Sequence, residues 1–219
     1  MPKVKKQRMR EMKKLRNVLE YTDFEENHTS PKGKWKEEIF ENENPIVLEL
    51  ACGKGEYSVG LAKLEENKNY LGIDIKGNRM WVGATTALEE GLENVRYFRA
   101  FIDHLPQFFE KGEIDEAWII FPDPYIKKER KRLTSPKFLK TFRKVMAPDT
   151  VINLKTDSDL LYEYTKEVIA EQDLELVKDI DDVYKTYPEH PILSIKTYYE
   201  NIHLSKGKTI KFLSFRLGE

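Results

Sequence analysis

Residues 121–132 read FPDPYIKKERKR and place a proline-clamped acid ahead of five bases. Asp123 lies between Pro122 and Pro124, and Lys127, Lys128, Arg130, Lys131 and Arg132 follow within nine residues. Pro122 fixes its own φ, and Pro124 drives Asp123 towards extended geometry. The carboxylate is therefore held stiffly where the apolar run Ala117-Trp118-Ile119-Ile120-Phe121 ends. In open α/β sheets, ligands bind at such strand ends. A rigid acid next to a basic loop suits chemistry on a nucleic acid; a Pro-Asp-Pro turn leading into a solvated charged loop is the plainer alternative.

A second constellation is LELACGKG, with Glu49 inside an apolar run and Gly53 and Gly55 in the turn behind it. A glycine-rich turn between strand and helix lets the backbone approach a nucleotide closely. The NAD fingerprint requires a third glycine at position 58, where Ser58 stands, and the GK[ST] ending of a P-loop is absent. Two acids sharpen the signal. An unpaired carboxylate at Glu49, in a buried strand, is costly and calls for a buried cation or a cationic ligand. Asp74 closes the next apolar run, 19 residues beyond Gly55, where such folds hydrogen-bond a ribose. A salt bridge for Glu49 and a helix cap or turn for Asp74 are the structural alternatives.

The elements that must carry these residues alternate. Strands are expected at Ile46–Leu50, Tyr70–Asp74, Val95–Arg99, Ala117–Phe121, Val151–Thr156, Leu174–Lys178 and Thr209–Arg216. Helices are expected at Ser58–Leu64, Met80–Glu90, Leu105–Phe109, Pro136–Val145 and 158–171, the last burying Leu160, Leu161, Tyr164, Val168 and Ile169. Such alternation predicts a mainly parallel sheet with helices on both faces. No helix is expected between the last two strands, only a long loop holding Pro188, Pro191 and Thr197-Tyr198-Tyr199-Glu200, and loops of that length are usually functional or disordered. Residues 17–44 read as polar and irregular, with Trp35, Ile39 and Phe40 as packing anchors.

The 219 residues suit one α/β domain with a short appendage, divided as a flexible basic N-terminal arm over 1–34 and a folded domain over 35–219. The net charge of −1 names no partner, but its distribution does. Residues 1–16 hold eight Lys or Arg and one Glu, leaving 29 basic and 37 acidic side chains in the rest. A basic arm on an acidic body is the asymmetry of a nucleic-acid or anionic-membrane contact. The arm has no apolar core of a secretory signal, and no stretch reaches the roughly 20 apolar residues of a membrane span. One cysteine, Cys52, makes no intrachain disulfide, and no Cys/His cluster has zinc spacing. A soluble protein of a reducing compartment, the cytoplasm, with no metal is the expectation; the oligomeric state is open.

Taken together, the acid before GxG resembles the first motif of the class I S-adenosylmethionine methyltransferases. More specifically, LELACGKG, LGID at 71–74, FPDP at 121–124, KTD at 155–157 and TYYE at 197–200 resemble the tRNA (guanine-N7-)-methyltransferases over about residues 35–217. FPDP with its basic loop and the late TxxE pair are specific to that family. The resemblance implies a Rossmann-like fold with a mostly parallel seven-stranded sheet and an antiparallel last strand, S-adenosyl-L-methionine as cofactor and tRNA as substrate. It implies Glu49 at the methionine moiety, Asp74 at the ribose, Gly53 and Gly55 in the cofactor turn, and Asp123 as the catalytic acid. It implies Lys127, Asp157, Thr197 and Glu200 as substrate contacts, although Asp157 or Ser158 is equally placed to cap the following helix. Where the family has an acid or amide for adenine, this chain has Phe101. Tyr125 replaces the family's more frequent Trp, and the basic loop is about two residues shorter.

Competing readings are a methyltransferase acting on another RNA or DNA atom or on a small molecule, and a catalytically silent RNA-binding subunit. PDPY echoes the [DN]PPY motif of amino-methylating enzymes, but Asp123 is displaced one place from that spacing. A nicotinamide-dependent oxidoreductase fits least, given Ser58.

Overall fold

The computed structural model describes residues 2–27 and 29–219; Met1 and His28, both within the expected arm, lie outside the described residues. Eight strands form one sheet: β1 (Val18–Glu20), β2 (Ile46–Leu50), β3 (Asn69–Asp74), β4 (Val95–Arg99), β5 (Ile114–Ile120), β6 (Met146–Thr156), β7 (Leu176–Ile180) and β8 (Lys211–Arg216). Their spatial order is β1-β4-β3-β2-β5-β6-β8-β7. The first six run parallel, while β8 is antiparallel to both β6 and β7.

The chain runs outward from β2 through β3 to β4, then restarts on the other side of β2 with β5. That reversal opens a crevice beyond the C-terminal ends of β2 and β5, where doubly wound sheets bind ligands. Glu49 pairs in register with Gly72 of β3 and Trp118 of β5, so it sits at the centre of the sheet.

Helices cover both faces: α1 (Pro2–Met12), α2 (Tyr21–Glu26), α3 (Glu56–Leu64), α4 (Gly77–Glu89), α5 (Leu105–Phe108), α6 (Pro136–Phe142), α7 (Asp159–Glu171), α8 (Val183–Thr186) and α9 (Tyr198–Ser205). Trp35–Phe40 forms a π-type turn that buries Trp35 and Phe40, with Trp35 stacked on Phe109 at 4.7 Å between ring centroids. One apolar cluster includes Trp35, Phe98, Phe142 and Leu154; the other includes Tyr57, Met80, Tyr97 and Trp118. The Trp35 and Phe40 anchors are thus buried as expected, and Ile39 packs against the first cluster.

Four expectations change. The sheet has eight strands rather than seven, because three residues of the region read as irregular pair with β4 as an edge strand. Residues 2–12 form a helix on α4, and Met12 is fully buried, its thioether against Gly77. The long loop between the last strands contains α8 and α9, each opened by a side-chain cap, from Asp182 and Thr197. Helix α7 buries Leu161, Tyr162, Thr165, Val168 and Ile169, while Leu160 is exposed. Thr165 is tolerated inside because its hydroxyl bonds Leu161 O and Thr134 Oγ1.

Candidate active site

Strand β2 ends in a turn in which Ala51, Gly53 and Gly55 all have positive φ, at 58°, 57° and 69°. The two glycines have different work. A Cβ on Gly53 would meet nothing nearer than 4.0 Å, so its bare backbone faces open space. A Cβ on Gly55 would lie 2.3 Å from Tyr97 Cε1, and Tyr97 Oη donates to Gly55 O at 2.8 Å. Gly55 permits close packing under the turn, whereas Gly53 lines the cavity above it.

That cavity, about 450 Å³, is lined by Glu49, Gly53, Asp74, Phe101, Asp103 and Asp123 among others. Ser58, the residue that breaks the NAD fingerprint, is the partner of Glu49. Its N–H donates to Glu49 Oε2 at 2.9 Å, and its hydroxyl donates to the same oxygen. Burial pushes the Glu49 carboxyl up to about 8 in spite of those two donors. No cationic side chain pairs with it among the described residues, so the salt bridge considered from sequence does not form. A buried carboxyl on a cavity wall with no cationic partner is one that a cationic ligand would return to its charged form. Asp74 accepts Gly53 N at 2.9 Å and Lys76 N at 2.8 Å, which orients it at the end of β3 and leaves lone pairs towards the cavity. Phe101 lies on the rim, 45% exposed, and Asp103 pairs with Lys137.

The donor set fits S-adenosylmethionine: a carboxyl needing a positive group, an acid at the ribose position, a glycine open to a close ligand, and an exposed phenyl ring for a base. No group of His, Cys, Asp and Glu among the described residues has the arrangement of a metal site. No helix of the described residues is long and apolar enough to cross a membrane.

A second cavity, about 950 Å³, adjoins the first. Both are bounded by Lys76, Arg79, Phe121, Pro122, Asp123 and Tyr199. Asp123 is exposed, and among the described residues no protein donor meets its carboxylate. It thus stands on the wall that the two cavities share. The loop that carries it is strained: Phe121 and Tyr125, on either side of Pro-Asp-Pro, have φ of 46° and 42°. Residues other than glycine hold such angles only where surroundings enforce them.

The remaining residues expected from sequence divide in two. Asp157 lines the second cavity, pairs with Lys208 and lies 3.1 Å from His203 Nδ1; Ser158, not Asp157, caps α7. Thr197 lines the first cavity while its hydroxyl caps α9. Lys127 is exposed in the basic loop but lines neither cavity.

Glu200 is placed differently from the others. It has no exposed surface, closes the capping box with Thr197, accepts from Tyr184 Oη at 2.6 Å and pairs with Lys155 at 2.7 Å. In this arrangement the carboxylate anchors α9, and contact with substrate would require its partners to give way. The basic loop is corrected: Arg132 is buried and donates to Pro124 O at 2.9 Å, while Lys127, Lys128, Arg130 and Lys131 are exposed. Lys76, Arg79, Tyr199 and His203 join the site without having been singled out from the sequence. Only TYYE hints at Tyr199, and nothing local marks the others.

A family model described as a putative methyltransferase matches residues 43–213. The tRNA (guanine-N(7)-)-methyltransferase of Porphyromonas gingivalis is 50% identical over 189 residues, covering 86% of this chain and 78% of the relative. The enzyme of the same name from Bacteroides thetaiotaomicron is 48% identical over 186 residues, covering 85% and 74%. That from Christiangramia forsetii is 43% identical and covers 98% of both chains. Among solved structures, the 16S rRNA methyltransferase KamB is similar with a TM-score of 0.65 at 16% identity, covering 84% of this chain and 92% of that one. A 16S rRNA (adenine(1408)-N(1))-methyltransferase from Catenulisporales acidiphilia has a TM-score of 0.57 at 16% identity, covering 81% and 88%. At these identities the structural likeness speaks for the fold.

Proposed function

Because this chain belongs to the tRNA (guanine-N(7)-)-methyltransferase family, we propose that it transfers a methyl group from S-adenosylmethionine to N7 of a guanine in tRNA. The guanine is nucleotide 46 of the variable loop, and the enzyme works in the cytoplasm. The observation that carries the reading is the place of Asp123, on the wall between a cavity holding Glu49 and Asp74 and a second, larger one.

S-adenosylmethionine supplies a methyl group on a cationic sulfonium. Glu49 would hold its methionine end and Asp74 its ribose hydroxyls, Gly53 would let the backbone come close, and Phe101 would meet the adenine in place of the family's acid or amide. Guanine N7 has no proton and is already nucleophilic, so no general base is required. The work of the chain is to bring N7 into line with the methyl group. Methylation leaves positive charge on the guanine ring, and the unpaired Asp123 carboxylate stabilises that charge electrostatically. Asp157, set between Lys208 and His203, offers an acceptor to the base inside the second cavity, and Thr197 bounds the first.

Lys127, Lys128, Arg130 and Lys131, with the exposed bases of α1, meet tRNA phosphates. Base selection comes from tRNA shape and an unstacked loop base rather than groove readout. The test is methyl transfer from labelled S-adenosylmethionine to unmodified tRNA, followed by nucleoside analysis. N7-methylguanosine, absent when the variable-loop guanine is replaced, is the expected product; methyl on another atom refutes the substrate assignment.

A further inference from the structure

Four of the five bases after Asp123 point to solvent, and the fifth does not. Arg132 is 3% exposed, and its guanidinium is turned back into the loop it terminates. Nε donates to Pro124 O at 2.9 Å, and Nη2 lies 3.4 Å from Tyr125 O and 3.5 Å from Ile126 O. One face covers the Tyr164 ring of α7 at 4.2 Å, and Nη1 lies 3.6 Å from Glu129. Three successive carbonyls therefore converge on one planar cation. The first belongs to the residue after Asp123, and the second to Tyr125, whose φ of 42° turns the chain.

A fixed fork of five donors suits this arrangement, and an ammonium does not. Left-handed Phe121 and Tyr125 are strained and need outside enforcement. Upstream, Phe121 N–H bonds Lys155 O at 2.9 Å and ties the loop to β6. Downstream, no other buried cation serves it among the described residues.

We propose that Arg132 is a positioning residue: its guanidinium gathers the carbonyls of Pro124, Tyr125 and Ile126 and so holds Asp123 on the wall between the two cavities. It acts on the reaction through Asp123 and does not touch tRNA phosphate. The inference rests on the reading of Asp123 as the acid beside the acceptor base.

The test compares Arg132→Lys and Arg132→Ala with Lys128→Gln on the full chain. Single-turnover methylation is measured at saturating tRNA, alongside tRNA affinity at several salt concentrations and cofactor binding by calorimetry. A misplacement near 1 Å costs about 100-fold, so both Arg132 variants should lose roughly 10- to 100-fold in rate. Their cofactor affinity and the salt slope of tRNA binding should stay as in the parent. Added guanidinium, below denaturing concentrations, should restore part of the rate of Arg132→Ala. Lys128→Gln should instead lower the salt slope by about one.

An Arg132→Lys protein that binds cofactor and keeps the full rate overturns the proposal. So does a salt slope reduced by about one in an Arg132 variant, because that marks direct pairing with a phosphate. If Arg132→Ala does not fold, Arg132→Lys, which keeps the charge but not the fork, decides alone. Asp123→Asn separates the two readings: full turnover there sinks the role of Asp123, whereas a slow Asp123→Asn beside unimpaired Arg132 variants sinks only the role of Arg132.

Discussion

The Lys155 ammonium lies 2.7 Å from the Glu200 carboxylate, and neither side chain has any exposed surface. Lys155 also donates to Leu193 O at 2.7 Å and Ile195 O at 3.1 Å. The end of β6 is thereby tied to the segment that brings Thr197 and Tyr199 to the cavity walls. Burial pulls Lys155 below its ordinary value, and Glu200 opposes that pull.

Removing one partner of such a pair strands the other charge. Glu200→Gln is expected to lower stability by about 3–5 kcal/mol, read by urea unfolding, while Lys155→Met with Glu200→Leu recovers most of that stability. A single Glu200→Gln variant of unchanged stability, with tRNA affinity alone reduced, would return Glu200 to the substrate surface.

Glu49 predicts a proton released on cofactor binding. Its carboxyl is raised to about 8 from 4.5, so the folded protein holds a proton that the unfolded chain gives up earlier. The stability it contributes is complete below about 4.5 and is lost as pH rises through about 8, at about 1.4 kcal/mol per pH unit in between. A bound cation reverses the shift. Calorimetry at pH 7 in buffers of different ionisation enthalpy should detect nearly one proton released by the parent and none by Glu49→Gln.

Asp123→Asn should lower the methylation rate and leave cofactor affinity unchanged, since no protein group depends on that carboxylate. Removing one preorganised electrostatic group costs on the order of 100-fold or more. No general base is required at N7, so the rate of the parent should show no acid limb attributable to base deprotonation.

The two glycines of the turn should separate folding from binding. Gly55→Ala combines a left-handed φ with a Cβ driven into Tyr97, a sum of about 2–5 kcal/mol from backbone and overpacking together. Gly53→Ala has space around its Cβ and should cost only about 1–2 kcal/mol, from φ alone. Its main effect should be weaker cofactor binding. Thermal unfolding with and without S-adenosylhomocysteine reads both.

The basic arm is best tested by charge rather than by truncation. Deleting residues 2–16 would remove Met12 from the core as well as eight bases from the surface. Replacing the exposed Lys3, Lys5 and Lys6 with Gln should shorten the salt slope of tRNA binding, by roughly 0.7–0.9 for each phosphate no longer neutralised. An unchanged slope would show that α1 does not face tRNA.

Much of the fold is legible along the chain. Ile46–Leu50 and Val95–Arg99 are strands with the expected bounds, because apolar runs between glycine and polar breaks carry their own signal. Edge strand β1 has three residues and no periodicity to read. Helix α9 escapes a reading by hydropathy, although its Thr197 to Glu200 spacing is that of a capping box. TxxE serves equally as a family motif and as a helix start, and the structure shows it capping α9. The stripe of α7 misleads at Leu160 because a leucine outranks a threonine in any hydropathy count, while a paired hydroxyl can be buried.

The sequence alone determined the alternating sheet, the glycine turn with its two acids, and the proline-clamped Asp123, since each is a local pattern with a local physical cause. Tertiary structure decided which charges are buried. FPDPYIKKERKR offers five similar cations, and KTD and TYYE offer a lysine and a glutamate with no mark of pairing. Long charged side chains reach in any direction, and their partners lie 45 residues away for Lys155 and Glu200 or across a loop for Arg132. Whether such a group meets solvent, tRNA or a buried carbonyl is settled by packing, where desolvation must be balanced by a partner.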